Sequence, residues 1–135
     1  MTKSPPTKSP LVVGIDGGGT RTRALALDGD GRELATLDGP PGLVDPTRPA
    51  AGIPALEALI LELAGSEGPV AALWVGLAGL GREPLRRSVE AALSVTGIAG
   101  VVGVGTDLEA ALQDGHGGEP GILLVAGTGS AAIRR

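Results

Sequence analysis

Val12-Val13-Gly14-Ile15-Asp16-Gly17-Gly18-Gly19-Thr20-Arg21-Thr22-Arg23-Ala24-Leu25-Ala26-Leu27-Asp28 is the stretch on which the reading of this chain turns. An apolar run ends in an acid, three glycines and a hydroxyl, and a second apolar run follows. That order predicts two antiparallel strands joined by a tight turn. Glycine has no Cβ, so it reaches φ > 0 and lets backbone N–H groups come close to an anion. Thr20 adds a hydroxyl donor, and Asp16 offers a hard oxygen to hydrated Mg²⁺. On these residues alone two readings stay open: a turn wrapped round a phosphate chain, and an ordinary glycine-rich hairpin.

Working outward, Leu11 to Asp16 and Thr22 to Asp28 read as the two strands. Asp28-Gly29-Asp30-Gly31 is a hairpin signal, and Arg32 to Leu37 makes the third strand of an antiparallel meander. Asp38 to Pro49 is a loop rich in Pro and Gly. Ile53 to Ala64 follows a helical period, with Ile53, Leu56, Ile60 and Leu63 on one face, Pro54 in the first turn and Gly65 as the stop. Val70 to Leu77 is a buried strand. After the turn Gly79 to Gly81, Pro84 opens a helix with Leu85, Val89, Ala92 and Leu93 inward, and Gly97 ends it. Gly100 to Val104 is a short strand. Thr106-Asp107-Leu108-Glu109 has the form of a capping box at the start of a helix that fades at Gly115. Gly121 to Ala126 is a further strand, Gly127 to Ser130 a turn, and Ala131 to Ile133 begins one more strand. Three meander strands followed by βαβ crossovers predict an α/β fold with a sheet of mixed sense.

Composition narrows the function. The 135 residues carry a net charge of −4 and no Cys, which leaves no disulfide framework, thiolate metal site or iron–sulfur cluster in this stretch. Basic residues are scattered, so no nucleic-acid partner is expected. No apolar run reaches the ~20 residues of a membrane span, and no membrane partner is expected. The Pro/Ser/Thr/Lys-rich residues 1–10 read as a disordered tail without the apolar segment of a signal peptide, so the expected location is cytoplasmic. Trp74 is the sole aromatic, which makes the core aliphatic.

Chemistry is expected where loops follow the C-terminal ends of apolar strands. Three qualify: Asp16 to Arg21, Gly105 to Asp107, and Gly127 to Ser130. The first and last are matched Gly/Thr-rich turns able to pinch a triphosphate. Asp107 reads in two ways. It is a first-turn acid that favours the helix dipole, or a general base, since phosphoryl transfer to a hydroxyl needs a carboxylate near the attacking oxygen. Arg21 either neutralises phosphate or is an exposed strand-start residue. Gly79 either lets backbone approach a substrate or simply turns the chain. His116, without partner ligands, reads as a solvated loop residue.

Gly14-Ile15-Asp16-Gly17-Gly18-Gly19-Thr20-Arg21-Thr22 resembles the first phosphate loop of the actin-like ATPase superfamily. Taken with Gly105 to Ala111 and Gly118 to Ser130, it resembles the BadF/BadG/BcrA/BcrD ATPase family, and within it the N-acetylglucosamine kinases. The resemblance covers the chain from about Leu11 to its end. It implies that residues 11–135 form an RNase H-like nucleotide-binding lobe, the first of two, with ATP between them and the second lobe absent here. It implies ATP and Mg²⁺ as cofactors, with Asp16 placing Mg²⁺ through water. Gly17, Gly18, Gly19, Thr20, Arg21, Gly127, Thr128 and Gly129 would bind the ATP phosphates. Asp107 would bind the sugar hydroxyl and act as base, with Ser130, Ala131 and Gly79 beside the sugar. The implied activity is phosphorylation of N-acetylglucosamine, glucosamine or a related hexose, with the sugar, the second lobe and a homodimer mate as partners. Family kinases often carry an Asn in the loop after the third strand; here that loop is Gly39 to Val44, and the chain has no Asn. Two alternatives accompany this reading: an ATPase activator of a 2-hydroxyacyl-CoA dehydratase, and a non-catalytic nucleotide- or sugar-sensing module or inactive fragment.

Overall fold

The computed structural model describes residues 9–65, 67–117, 119–126 and 130–134. Ten elements follow one another: β1 (Leu11–Gly17), β2 (Thr22–Leu27), β3 (Glu33–Gly39), α1 (Ile53–Ala64), β4 (Val70–Leu77), α2 (Glu83–Thr96), β5 (Ala99–Gly105), α3 (Asp107–His116), β6 (Ile122–Ala126) and β7 (Ser130–Arg134).

β1 lies at the centre of a five-stranded sheet of order β3-β2-β1-β4-β5. It pairs antiparallel with β2, and β2 pairs antiparallel with β3, as the meander required. It pairs parallel with β4, and β4 pairs parallel with β5. β1, β3, β4 and β5 therefore run the same way and end at one edge. The mixed α/β sheet read from the sequence is what the chain forms.

One departure concerns the end of the chain. β6 and β7 pair antiparallel with each other in a two-stranded sheet of their own, separate from the five-stranded one. Residues 127–129 between them lie outside the described residues.

Alternation assigns the two faces of β1. Leu11, Val13 and Ile15 are buried, as are Leu73, Val75 and Leu77 of β4. They pack with Ile53, Leu56, Leu59, Ile60 and Leu63 of α1 and with Val89 and Leu93 of α2. At roughly 1.5–3 kcal/mol for each large aliphatic chain removed from water, this layer is the main source of stability. The opposite face carries Val12, Gly14, Asp16 and Trp74. α3 packs there, and its buried Leu112 stands outside the main core cluster.

The local signals explain the boundaries. Asp28 Oδ1 accepts the N–H groups of Asp30 and Arg32, both at 2.9 Å, and Gly31 turns the chain at φ +83°. Ser9 Oγ accepts the Gly29 N–H at 2.7 Å, so the chain just before β1 rests on this same turn. α2 ends at Gly97 and α3 at Gly117, both left-handed. α3 thus continues past Gly115, where the sequence pattern fades.

Candidate functional site

The shared strand edge gathers four loops. The β1–β2 turn closes with the Gly18 N–H donating to Arg21 O at 2.9 Å. The segment after β3 folds back onto it: the Gly42 N–H donates to Gly18 O at 2.9 Å, and the Thr22 hydroxyl donates to Pro40 O at 2.6 Å. The turn after β4 joins both, since the Ala78 N–H donates to Gly17 O at 2.8 Å and the Val44 N–H donates to Ala78 O at 3.0 Å. The fourth loop is the β5–α3 junction, which carries Thr106 and Asp107.

The backbone angles correct one expectation about the glycines. None of Gly17, Gly18 and Gly19 adopts positive φ. Gly17 is glycine because of crowding: a Cβ would sit 2.5 Å from Leu77 Cδ2 and 3.2 Å from Gly42 Cα. Gly42 meets the same constraint in reverse, with Gly17 Cα 2.6 Å from where its Cβ would be. Two backbones pass in contact, which only paired glycines permit. The Gly18 amide is spent on Arg21. Among the described residues no partner takes the amides of Gly19 and Thr20, and both residues are exposed with Arg21 at the tip. The donors left for an anion are thus narrower than the full run of glycines.

Asp16 and Asp107 are brought together. Asp16 is level with Gly76 of β4, and Gly76 is level with Gly105 of β5, two residues before Asp107. Gly76 is empty between them for a reason: a Cβ there would lie 2.8 Å from Thr106 O. Burial pushes the Asp16 carboxyl above the ordinary aspartate value, the charge of Asp107 pushes it further, and Arg21 and Arg23 pull only part of the way back. Arg23 is itself held by Asp38, 3.1 Å away on β3.

Asp107 opens α3 as its first residue, behind the N-cap Thr106. The capping box is complete: Thr106 Oγ1 accepts the Glu109 N–H at 3.1 Å, and Glu109 Oε2 accepts the Thr106 N–H at 2.6 Å. Asp107 is thus a first-turn acid that favours the helix dipole, and its charge is felt at Asp16. Burial pushes the Glu109 carboxyl up, but the Thr106 amide and the Arg86 guanidinium outweigh it and hold it below the ordinary glutamate value.

A cleft of about 890 Å³ runs from Asp16 along the open sheet face, with Gly14, Leu25, Trp74, Arg86 and Ala110 among its walls. The Trp74 ring lies over Gly76, Gly103 and Gly105, where any Cβ would meet it at 3.0 Å or less.

The donor set fits Mg²⁺ of a particular kind. Among the described residues no group of three or more His, Cys, Asp or Glu could cage a metal. Two acids at neighbouring strand ends suit a hydrated ion whose other ligands come from phosphate oxygens. Asp16 is the residue that would hold it.

Gly79 turns the chain at φ +89° and rests 3.3 Å, measured from its would-be Cβ, from Val44 O, so its neighbour here is the β3–α1 loop. Gly127, Thr128 and Gly129 lie outside the described residues, as do the side chains of Ser130, Ala131 and His116. Sequence reasoning missed Thr22, Gly42, Gly76 and Arg86. Thr22 carried a signal: it is the one polar side chain at an inward position of β2, and it is 2% exposed.

No family model matches the chain. It is 30% identical over 128 residues to an N-acetylmuramic acid/N-acetylglucosamine kinase of Clostridium acetobutylicum, covering 92% of this chain and 42% of that protein. Among solved structures, a candidate N-acetylglucosamine kinase of Chromobacterium violaceum superposes with a TM-score of 0.74 at 26% identity, covering 95% of this chain and 46% of that one. A ROK family glucokinase of Streptomyces griseus, solved with glucose and AMPPNP, superposes with a TM-score of 0.64 at 26% identity, over 92% of this chain and 44% of its own. The chain spans less than half the length of each of these relatives. In sequence and in fold it is a relative of N-acetylglucosamine kinases and ROK glucokinases, and it has the actin-like ATPase fold.

Proposed function

We propose that this chain supplies one wall of the active site of an ATP-dependent sugar kinase acting on N-acetylglucosamine, glucosamine or a related hexose in the cytoplasm. The observation that carries the reading is the approach of Asp16 and Asp107 at the edge where four strand-end loops meet. Phosphoryl transfer needs little covalent chemistry from a protein. It needs the hydroxyl and the phosphate held in line, and the charge on phosphate balanced.

Each residue has a part in this scheme. The open amides of Gly19 and Thr20, the Thr20 hydroxyl and Arg21 receive phosphate oxygens. Asp16 would hold Mg²⁺ through water, and the ion would supply charge to neutralise the phosphate. Asp107 accepts a hydrogen bond from the sugar hydroxyl, aligns its oxygen, and takes its proton as that oxygen bonds to the γ-phosphorus of ATP and the bond from phosphorus to the bridging oxygen breaks, releasing ADP. Thr128, Ser130 and Ala131 complete the phosphate and sugar contacts. β6–β7 would be the first hairpin of the second lobe, because it pairs with no strand of the five-stranded sheet. The rest of that lobe would then close over ATP.

The test is turnover of a sugar panel by the full-length protein, measured as ADP release, for wild type and Asp107→Asn. The expected result is turnover of at least one hexose or amino sugar and a loss of kcat of a hundredfold or more in the variant. Unchanged turnover in the variant for every accepted sugar would remove Asp107 as base.

A further inference from the structure

Asp107 is placed by a contact that lies outside its own helix. The capping box fixes the first turn of α3 relative to itself, but nothing in it says where that turn sits on the sheet edge. Glu109 supplies the missing link, because its two oxygens are divided between two tasks. Oε2 accepts the Thr106 N–H, while Oε1 accepts Arg86 Nη2 at 2.9 Å. Arg86 stands on α2, and its Nε donates to Leu80 O at 2.9 Å. One guanidinium therefore grips the β4–α2 turn with one nitrogen and, with another, the Glu109 carboxylate that closes the capping box of α3.

We propose that Arg86, acting through Glu109, is the positioning residue that fixes Asp107 against the other loops of the strand edge. The proposal rests on the kinase reading of that edge. Three further features agree with it. Arg86 and Glu109 are about 70% shielded from water, which makes their pair more directional than an exposed one. Gly105 has no side chain, and any Cβ there would collide with Glu109 Oε2 and Trp74, so the Glu109 carboxylate lies flat over the β5 backbone. Leu80, whose carbonyl takes the other end of the clamp, is fully buried and so a firm anchor. Arg87, the next residue, offers the contrast: its pair with Glu83 stays within α2 and is exposed.

The planar guanidinium matters, since the two bonds leave it in different directions from fixed nitrogens; a lysine ammonium is a single point donor. A displacement of about 1 Å at a reacting group is enough to cost of order a hundredfold in rate.

The experiment is a double-mutant cycle in the full-length protein with Arg86→Met and Glu109→Gln, the latter keeping an acceptor for the Thr106 amide. Each single variant is expected to lower kcat about tenfold or more with the sugar KM changed less than twofold. The double variant should be no slower than the slower single one, Arg86→Lys should not rescue, and Arg87→Met should match wild type. Losses that multiply, a KM effect in place of a kcat effect, or full rescue by lysine would overturn the assignment. Wild-type protein that turns over no sugar fails the kinase reading instead. The clamp is then read from amide hydrogen exchange at Thr106: at least tenfold faster exchange in Arg86→Met supports it, and unchanged exchange overturns it.

Discussion

The two faces of the five-stranded sheet are built from the same strands and serve opposite ends. On the covered face, Val13, Val75, Ile60, Val89 and Leu93 are wholly buried and close-packed with α1 and α2. On the open face, glycines at 14, 76, 103 and 105 leave space that a single Trp fills only in part, and Asp16, Arg23 and Glu109 stand along it. The covered face stabilises the edge from which the loops project. The open face and the loops hold charge, and at Asp16 the ionised form costs stability. The two belong together, because like charges are kept in place only by a frame stable enough to hold them.

The covered face gives the largest expected effect. Ile60→Ala removes a fully buried side chain between α1 and the sheet. It should destabilise the protein by about 2–5 kcal/mol, read as a lower denaturation midpoint with an unchanged m-value. Trp74→Leu on the open face should cost much less, since Trp74 is 37% exposed and already borders a cleft. Equal losses would mean that the two faces are not distinct in the way described.

The contact between Gly17 and Gly42 comes next. Gly42→Ala drives a methyl group into backbone that cannot swing aside, 2.6 Å from Gly17 Cα. The expected cost is about 1–3 kcal/mol, together with displacement of residues 40–44 from the β1–β2 turn. Hydrogen exchange at Gly42 and Val44, both of which donate to neighbouring loops, would rise together if the lacing is one unit.

Much of this arrangement was legible in the sequence, and the limits have a common cause. The helical period of Ile53, Leu56, Ile60 and Leu63 marked α1, because a 3.6-residue repeat is written locally. Thr106 and Glu109 announced the capping box at a spacing of three. Asp16 and Asp107 were named from their places at strand ends. The reach of Arg86 to Glu109 spans 23 residues, and that of Gly42 to Gly17 spans two strands; neither leaves a local period to read. Positive φ was the freedom expected of the glycines in the first turn; none of the three uses it, and crowding explains Gly17 alone, since both demands select the same residue. The separate β6–β7 sheet was invisible for a related reason: an apolar strand does not say which sheet it joins.

A smaller effect should appear at Asp16. Its carboxyl titrates above the ordinary aspartate value in the folded protein, so in the ionised form it opposes folding. Asp16→Asn should therefore raise the melting temperature at pH 7. The gain should shrink as pH falls through the raised value and vanish below the unfolded value of about 3.8–3.9, where both states are protonated. Glu109 should behave in the opposite sense. Its pKa is lowered on folding, so it contributes stability above the unfolded value that is lost as pH falls through the folded one. Glu109→Gln should remove that acid-side loss.

Smallest of all in stability, and most pointed for function, is Gly19→Ala. Gly19 has ordinary negative φ, and a Cβ built on it meets nothing within 4 Å. The folded protein should not notice the change beyond about 0.5 kcal/mol. The added methyl group would stand beside the amides that the proposed scheme reserves for phosphate. Nucleotide-dependent turnover should then fall while the melting curve of the free protein stays in place. Set against Gly42→Ala, this separates the two uses of glycine in one small region: one leaves room for the protein's own backbone, the other for a ligand. Wild-type turnover in Gly19→Ala would take Gly19 out of the phosphate scheme and leave Thr20 and Arg21 alone in it.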